Sequence, residues 1–461
     1  MRAATEYRVT DPTTNRVVRR IETAGDEQVD DAVIRADVAY RTWRRRPIEE
    51  RATFLAAVAA EYRADRERLA AIITREMGKT TAEALGEVDL VADIYDYYAQ
   101  NGPAFAADRR LDTARGEAVV RSVPIGVLLG IMPWNYPYYQ VARFAAPNLV
   151  LGNTIVLKHA PSCPESAAAI AELFDRVGLP TGTYENVYAS EAQVARIIEA
   201  PAVQGVSLTG SERAGRAVGE LAGRAMKKFV LELGGSDPFI VLADADLDAA
   251  AAAAVAGRMS NAGQACTASK RFIVLDEVYD AFVNRFARRV QELRIGDPTD
   301  PEVAFGPLSS EAAAAMVIEQ VADALMQGAT ALTGGRRIDR EGAFIEPTIL
   351  TDVPPAARAY REEIFGPVAV VYRVATVDEA IHLANDTPFG LGSVVFGADP
   401  ALIAEVADRL DVGMVSINGP SQTQADLPFG GVKASGVGRE LGEYGMAEFV
   451  NRKLIRTHTG V

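Results

Sequence analysis

The sequence predicts an α/β protein in which helices cover both faces of largely parallel sheets. Two observations carry this. Short apolar runs alternate with helical segments through most of the chain, the pattern of a parallel sheet with crossover helices. About half of the 461 residues are apolar and they are spread along the whole length, which is a globular composition with room for two or three domains. No low-complexity linker or short-period repeat interrupts the pattern, so adjacent domains should pack closely.

Two amphipathic helices come first. Val29, Val33, Ala36, Tyr40 and Trp43 recur at steps of four and three, with Thr23 and Asp26 as a variant capping box. A second helix is expected over about 48–77, stopped by Gly78. Strands are then expected at 127–131, 154–157, 203–208 and 229–231, separated by helices at 164–177, 191–199 and 211–223. Past Gly235 a second block has strand-like runs at 239–242, 271–275, 368–372 and 394–396. Residues 449–457 read as a last strand, which needs a pairing partner, in this chain or in another subunit. In such folds ligands bind beyond the carboxyl ends of the strands, so the polar segments after each run are the candidate site.

The net charge is −14, from 62 acidic and 48 basic residues, which disfavours nucleic acid as a partner. The only cysteines are Cys163 and Cys266, too few for a disulfide framework and in keeping with a reducing cytoplasm. Residues 1–11 are polar, without the apolar core of a signal peptide. The alanine-rich stretch 248–257 is too short to span a bilayer. The expectation is a cytoplasmic protein with no membrane, nucleic-acid or metal partner.

Six segments carry candidate chemistry. Met132-Pro133-Trp134-Asn135-Tyr136-Pro137 puts an amide at a strand end, as an oxyanion donor or as a turn residue. Ser207-Leu208-Thr209-Gly210-Ser211 with Gly215 opens a helix, as a phosphate site or a tight turn. The spacing Gly-x4-Gly is neither the dinucleotide fingerprint nor a P-loop. Leu231-Glu232-Leu233-Gly234-Gly235 ends a strand on a carboxylate, as a base or an exposed residue at a turn. Asn261-Ala262-Gly263-Gln264-Ala265-Cys266 leads small residues into a cysteine, as a nucleophile or a small core residue. Glu362 to Pro367 and Pro428 to Lys433 read as Gly/Pro turns when taken alone.

In this order and spacing the six together resemble the aldehyde dehydrogenase superfamily over nearly the whole chain. The resemblance implies a Rossmann-like cofactor domain (1–106 and 128–234), an α/β catalytic domain (235–435) and a small β oligomerisation element (107–127 and 436–461). It implies that Cys266 attacks an aldehyde to form a thiohemiacetal, and that Asn135 and the Cys266 N–H hold the oxyanion. Hydride then passes to the nicotinamide, and Glu232 activates water to hydrolyse the thioester. It assigns the cofactor to Trp134, Lys158, Gly210, Ser211, Glu363 and Phe365. A homodimer or homotetramer follows from the same resemblance.

Where NAD-preferring members often carry a Glu that holds the ribose 2′-hydroxyl, this chain has Pro161, followed by Ser162. With that repulsive carboxylate absent, NADP⁺ is the expected cofactor, with NAD⁺ as the alternative. His159 beside Lys158 is either a polar contact to the site or a partly exposed loop histidine.

Three segments, 140–147, 157–160 and 268–272, resemble the short bacterial succinate-semialdehyde dehydrogenases. Arg143 stands where the resemblance places the substrate tunnel, and a guanidinium suits a carboxylate; the alternative is a helix-surface ion pair. Some of these enzymes have a second Arg six residues before the nucleophile, where this chain has Ser260. Gln424 or Thr423 are further candidates. The expected reaction is succinate semialdehyde to succinate. Three other readings are a dehydrogenase of uncharged or aromatic aldehydes, a CoA-acylating enzyme (disfavoured by Glu232), and a catalytically silent binding protein on the same scaffold.

Overall fold

The computed structural model describes residues 5–113 and 116–458. A hairpin of β1 (Tyr7–Asp11) and β2 (Arg16–Ile21) precedes four helices, α1 (Asp26–Trp43), α2 (Ile48–Ala64), α3 (Arg66–Met77) and α4 (Thr81–Phe105). After β3 (Arg109–Leu111) and β4 (Glu117–Pro124), strands and helices alternate. They are β5 (Val127–Met132), α5 (Tyr139–Leu151), β6 (Thr154–His159), α6 (Pro164–Arg176), β7 (Tyr184–Asn186), α7 (Glu191–Glu199), β8 (Val203–Thr209), α8 (Glu212–Arg224) and β9 (Lys228–Glu232). A second block follows with β10 (Asp237–Val241), α9 (Leu247–Met259), β11 (Ser269–Leu275), α10 (Asp276–Gln291), α11 (Glu311–Met326), β12 (Thr330–Thr333) and β13 (Thr348–Thr351). It continues through α12 (Arg358–Arg361), β14 (Val368–Val374), α13 (Val377–Asn385), β15 (Gly392–Phe396), α14 (Pro400–Asp408) and β16 (Met414–Ile417). The chain closes with β17 (Gly436–Val437), α15 (Gly442–Ala447) and β18 (Val450–Thr457).

The first sheet has the order β17-β9-β8-β5-β6-β7, parallel except for β17. The chain winds from β5 outward through β6 and β7, then returns to β8 on the other side. A crevice therefore opens beyond the carboxyl ends of β5 and β8, where the strand order reverses. The second sheet is β12-β13-β14-β11-β10-β15-β16, parallel except for β12. Residues 233–236 alone join β9 to β10, so the carboxyl edge of the first sheet meets the amino edge of the second. The strands read as near-continuous apolar runs because both faces of each sheet are covered. Val127, Leu128 and Leu129 of β5 are fully buried, as are Phe239, Ile240 and Val241 of β10. A third sheet, β18-β4-β3, is antiparallel, and most of β18 is exposed.

Several expectations needed correction. The stretch 48–77 is two helices, α2 and α3, because Asp65 leaves the helical conformation (φ −106°, ψ 18°). Its carboxylate accepts from Arg68 Nε (2.9 Å) and Arg176 Nη2 (2.8 Å) instead. The capping box of α1 is not built on Thr23, whose hydroxyl donates to Thr5 O (2.6 Å). There Gly25 N donates to Gln28 Oε1 (2.8 Å). The second sheet also contains β12, β13 and β16, short runs with Thr or Ser and without a clean period. Among the described residues no helix is long and apolar enough to cross a membrane. Residues 1–4 of the polar N-terminal stretch, and 114–115 and 459–461 of the expected oligomerisation element, lie outside the described residues.

Candidate active site

The Pro-Trp-Asn turn follows β5 directly and is held from three sides. Asn135 is buried; its Oδ1 accepts from Gln140 Nε2 (2.9 Å) and its Nδ2 donates to Gln264 O (3.0 Å). An amide nitrogen has two protons, so one remains for an oxygen in the site. The Asn135 carbonyl accepts from Lys79 Nζ (3.0 Å) and Asn261 Nδ2 (3.1 Å). Lys79 pairs with Glu87, and both side chains are completely buried. Glu87 Oε1 in turn accepts from the backbone N–H of Tyr138 (2.9 Å) and Tyr139 (3.2 Å) at the start of α5. His159 pins the same turn. Its Nδ1 accepts from Ala160 N (2.8 Å), which leaves Nε2 to donate to Pro137 O (2.8 Å). Burial pushes this imidazole down to about 4, so it is neutral. It is neither a site contact nor a loop histidine but a fixed core residue.

Cys266 lies in the turn before β11 and is half-buried. The approach to it is unusual backbone: Asn261 (φ 51°), Ala262 (φ 52°) and Gly263 (φ 72°) are all left-handed, which costs a non-glycine residue roughly 1–2 kcal/mol. Contacts offset this strain. Asn261 N donates to Glu83 Oε1 (2.7 Å), and Asn261 Nδ2 donates to Gln264 O (3.1 Å). Burial pushes the Cys266 thiol up to about 12, while the cations Arg143 and Lys270 oppose the shift. Burial therefore favours the thiol over the thiolate at neutral pH.

Glu232 ends β9 and is buried. Burial holds its carboxyl well above the usual range, against the opposing charges of Arg143 and Arg439. Neither oxygen has a hydrogen-bond partner among the described residues. A desolvated carboxyl of this kind, when ionised, has the basicity to take a proton from a water molecule.

Arg143, on α5, is nearly inaccessible at 1 % exposure. Its Nε pairs with Glu440, Nη1 donates to Tyr139 Oη (3.1 Å), and Nη2 donates to Thr209 Oγ1 (3.0 Å). The guanidinium lies over the Phe429 ring, 4.4 Å from its centroid. It is thus not the helix-surface ion pair weighed above but an interior charge close enough to Glu232 and Cys266 to affect both. Ser260 is not brought into this cluster: it is exposed and its Oγ donates to Glu83 Oε1 (2.9 Å). Gln424 is also exposed, whereas its half-buried neighbour Thr423 reaches the Tyr139 hydroxyl.

The crevice between β5 and β8 has the features a dinucleotide needs. Gly210 follows β8, and a side chain built on it would meet nothing within 4 Å. Ser211 caps α8, whose N-terminus opens there. Gly215 serves packing: a Cβ there would lie 2.6 Å from Leu233 Cδ1. Burial brings the Lys158 ammonium down to about 8. Ser162 is half-buried at the mouth of a cleft shared with Pro161 and Arg8. Trp134 and Phe365 meet edge to face, with centroids 5.7 Å apart. Glu363 Oε1 accepts from Gly235 N (3.1 Å).

Sequence reasoning did not find Lys79, Glu87, Gln140, Lys270 or Glu440. Gln140 and Lys270 sat inside segments already singled out, Glu87 had one signal, a charge on the buried, otherwise apolar face of α4, and Lys79 had none, lying in the short loop between α3 and α4.

A thiol beside an amide donor and a buried carboxylate, at the meeting edge of two α/β sheets, can take an acyl group and release it to water. This defines the class as covalent thiol enzymes on a nucleotide-binding scaffold. The chain belongs to the aldehyde dehydrogenase family, whose model matches residues 1–455. It is 53 % identical over 98 % of its length, and 94 % of the relative's, to the succinate-semialdehyde dehydrogenase [NADP(+)] of Deinococcus radiodurans. The succinic semialdehyde dehydrogenase of Streptococcus pyogenes, solved in complex with NADP⁺, superposes with TM-score 0.97 at 43 % identity, covering 98 % of this chain and all of that one. The betaine aldehyde dehydrogenase of Staphylococcus aureus, solved with NAD⁺, still superposes with TM-score 0.95 at 32 % identity, over 99 % of this chain and 92 % of that one. The fold is thus shared by enzymes of different substrate and cofactor, and the side chains must discriminate.

Proposed function

We propose that this enzyme oxidises succinate semialdehyde to succinate with NADP⁺ as the preferred cofactor. Arg143 carries the reading: a guanidinium beside the thiol and the buried carboxylate. A guanidinium has five N–H donors. Tyr139 and Thr209 take one each from Nη1 and Nη2 and Nε faces Glu440 as an ion pair, so the second protons of Nη1 and Nη2 remain for the far carboxylate of the substrate. The names of the similar proteins from Deinococcus and Streptococcus support the same substrate.

In this reading Cys266 first gives up its thiol proton to solvent, and the thiolate then bonds to the aldehyde carbon. The carbonyl π electrons move to oxygen, and the Asn135 Nδ2 proton and the Cys266 N–H stabilise that charge. Bound NADP⁺ would supply the hydride acceptor that converts the thiohemiacetal to a thioester. Glu232 then takes a proton from water, the hydroxide adds to the thioester carbon, and the C–S bond breaks to return the thiolate. Lys158 and Ser162 would hold the 2′-phosphate, Gly210 and Ser211 the pyrophosphate, and Glu363, Trp134 and Phe365 the nicotinamide end. The cofactor domain would comprise 1–106 and 128–234, and the catalytic domain 235–435. A cytoplasmic homodimer or homotetramer completes the proposal, with 107–127 and 436–461 as the joining element.

The Arg143–Glu440 pair favours a second reading, an enzyme for uncharged aldehydes whose Arg143 is purely structural. The test compares kcat/KM for succinate semialdehyde and butyraldehyde in wild type and Arg143→Ala. Wild type should prefer succinate semialdehyde, and the variant should lose about ten- to a hundredfold more on that substrate than on butyraldehyde, the worth of one charge-assisted contact. Equal losses on both aldehydes would establish the structural role and sink the substrate assignment.

A further inference from the structure

We propose that Lys270 is a positioning residue that grips the nucleophile loop by its carbonyls and ties it to the cofactor wall through Glu363. The inference rests on the reading of Cys266 as nucleophile and Glu363 as a cofactor contact.

Lys270 is the second residue of β11 and is buried. A buried ammonium has to be compensated by acceptors or anions. Here four acceptors converge on Nζ: the carbonyls of Cys266 (2.8 Å), Ala265 (3.2 Å) and Ala268 (3.2 Å), and Glu363 Oε1 (3.1 Å). An ammonium has three protons, so three protons serve four oxygens, and the shortest contact is to the carbonyl of Cys266 itself. A lysine that only filled space would not collect three carbonyls of one turn.

The turn needs such a grip. Its entry passes through the left-handed residues Asn261, Ala262 and Gly263, and strained backbone persists only where its surroundings over-determine it. The entry is held by Asn261, through its contacts to Glu83 and Gln264, and by Arg258, whose Nη2 donates to Ile364 O (2.8 Å) and Nη1 to Gly263 O (3.4 Å). The exit is held by Lys270. These contacts fix where the Cys266 N–H and sulfur point, and the nearby positive charge favours the thiolate. The carboxylates of Asp237 and Glu363 supply the balancing negative charge near Lys270. Glu363 also accepts from Gly235 N (3.1 Å). One carboxylate therefore touches both the wall of the crevice and the ammonium behind the nucleophile. If Glu363 turns toward a cofactor, the three protons match the three carbonyls one to one.

The test is alkylation of Cys266 by iodoacetamide in the full-length, cofactor-free protein, read by mass spectrometry, with the buried Cys163 as internal control. At pH 8 Lys270→Met should slow alkylation about tenfold, the effect of roughly one pH unit in thiol acidity. Lys270→Arg should restore most of the rate, because a guanidinium also donates to carbonyls. kcat should follow the same order. A folded Lys270→Met with the wild-type alkylation rate and kcat would overturn the proposal. If that variant does not fold, Glu363→Gln decides: alkylation should speed up as the competing anion is removed, and an unchanged rate would break the proposed link. NADP⁺ affinity of Glu363→Gln tests the cofactor contact separately, and turnover by Cys266→Ala tests the nucleophile, so the three failures are distinguishable.

Discussion

At the scale of single residues, burial sets the chemistry. Desolvation raises the Cys266 thiol and the Glu232 carboxyl, and it lowers Lys158 and His159. In each case desolvation opposes the charged form. Lys158 has a testable consequence. In the proposed site its ammonium would be the form that meets a 2′-phosphate, and in the free protein it is lost as pH rises through about 8. A bound phosphate would raise that value again, so NADP⁺ binding takes up a proton above this pH. Affinity should then fall by up to about tenfold per pH unit, by linkage. NAD⁺, without the phosphate, should show little of this dependence. Cofactor titrations between about pH 7 and pH 9 check it; parallel curves for the two cofactors would remove Lys158 from the phosphate site.

Elements matter through what they hold together. Helices α4 and α5 meet at the Lys79–Glu87 pair, which carries the Asn135 carbonyl and the first amides of α5. Removing one partner of a buried pair leaves an uncompensated charge and costs about 3–5 kcal/mol, whereas replacing both by apolar residues of similar volume is often neutral. Glu87→Leu should therefore be strongly destabilising, and Lys79→Met with Glu87→Leu should regain much of the loss in urea denaturation. The double variant should still have a low kcat, because the Asn135 carbonyl and the Tyr138 and Tyr139 amides have lost their partners. Full recovery of both stability and kcat would show that the pair does not orient the amide donor.

At the scale of the whole molecule, one sheet edge among the described residues presents apolar side chains outward. Strand β18 lies at the margin of its sheet, with Leu454 61 % and Ile455 36 % exposed. An apolar edge strand is a pairing template unless something covers it, and a second copy of the chain is the proposed cover. Leu454→Glu with Ile455→Glu should then shift the particle mass measured by light scattering down toward that of one chain, 49.3 kDa for the full sequence. An unchanged mass would place the subunit interface elsewhere.

The local pattern of residues determined the class of fold, most of the strands flanking the site, and the segments bearing Cys266, Asn135 and Glu232. Those features depend on apolar runs, turn chemistry and short motifs, which lie within a few neighbouring residues. It did not reveal the break at Asp65, set by ion pairs to Arg68 and Arg176, or the edge strands β12 and β16, which are short and half-buried. Nor did it show how the site is held. Lys79 lies 56 residues from the carbonyl it supports, and Arg143 lies far along the chain from Glu440. No sequence period encodes such pairings. They exist because two sheets meet edge to edge and bring distant charges into one desolvated space, where each must find a partner. The motifs determined which groups are present, and the tertiary structure decided which are neutral, which are paired and which are left with a donor to spare.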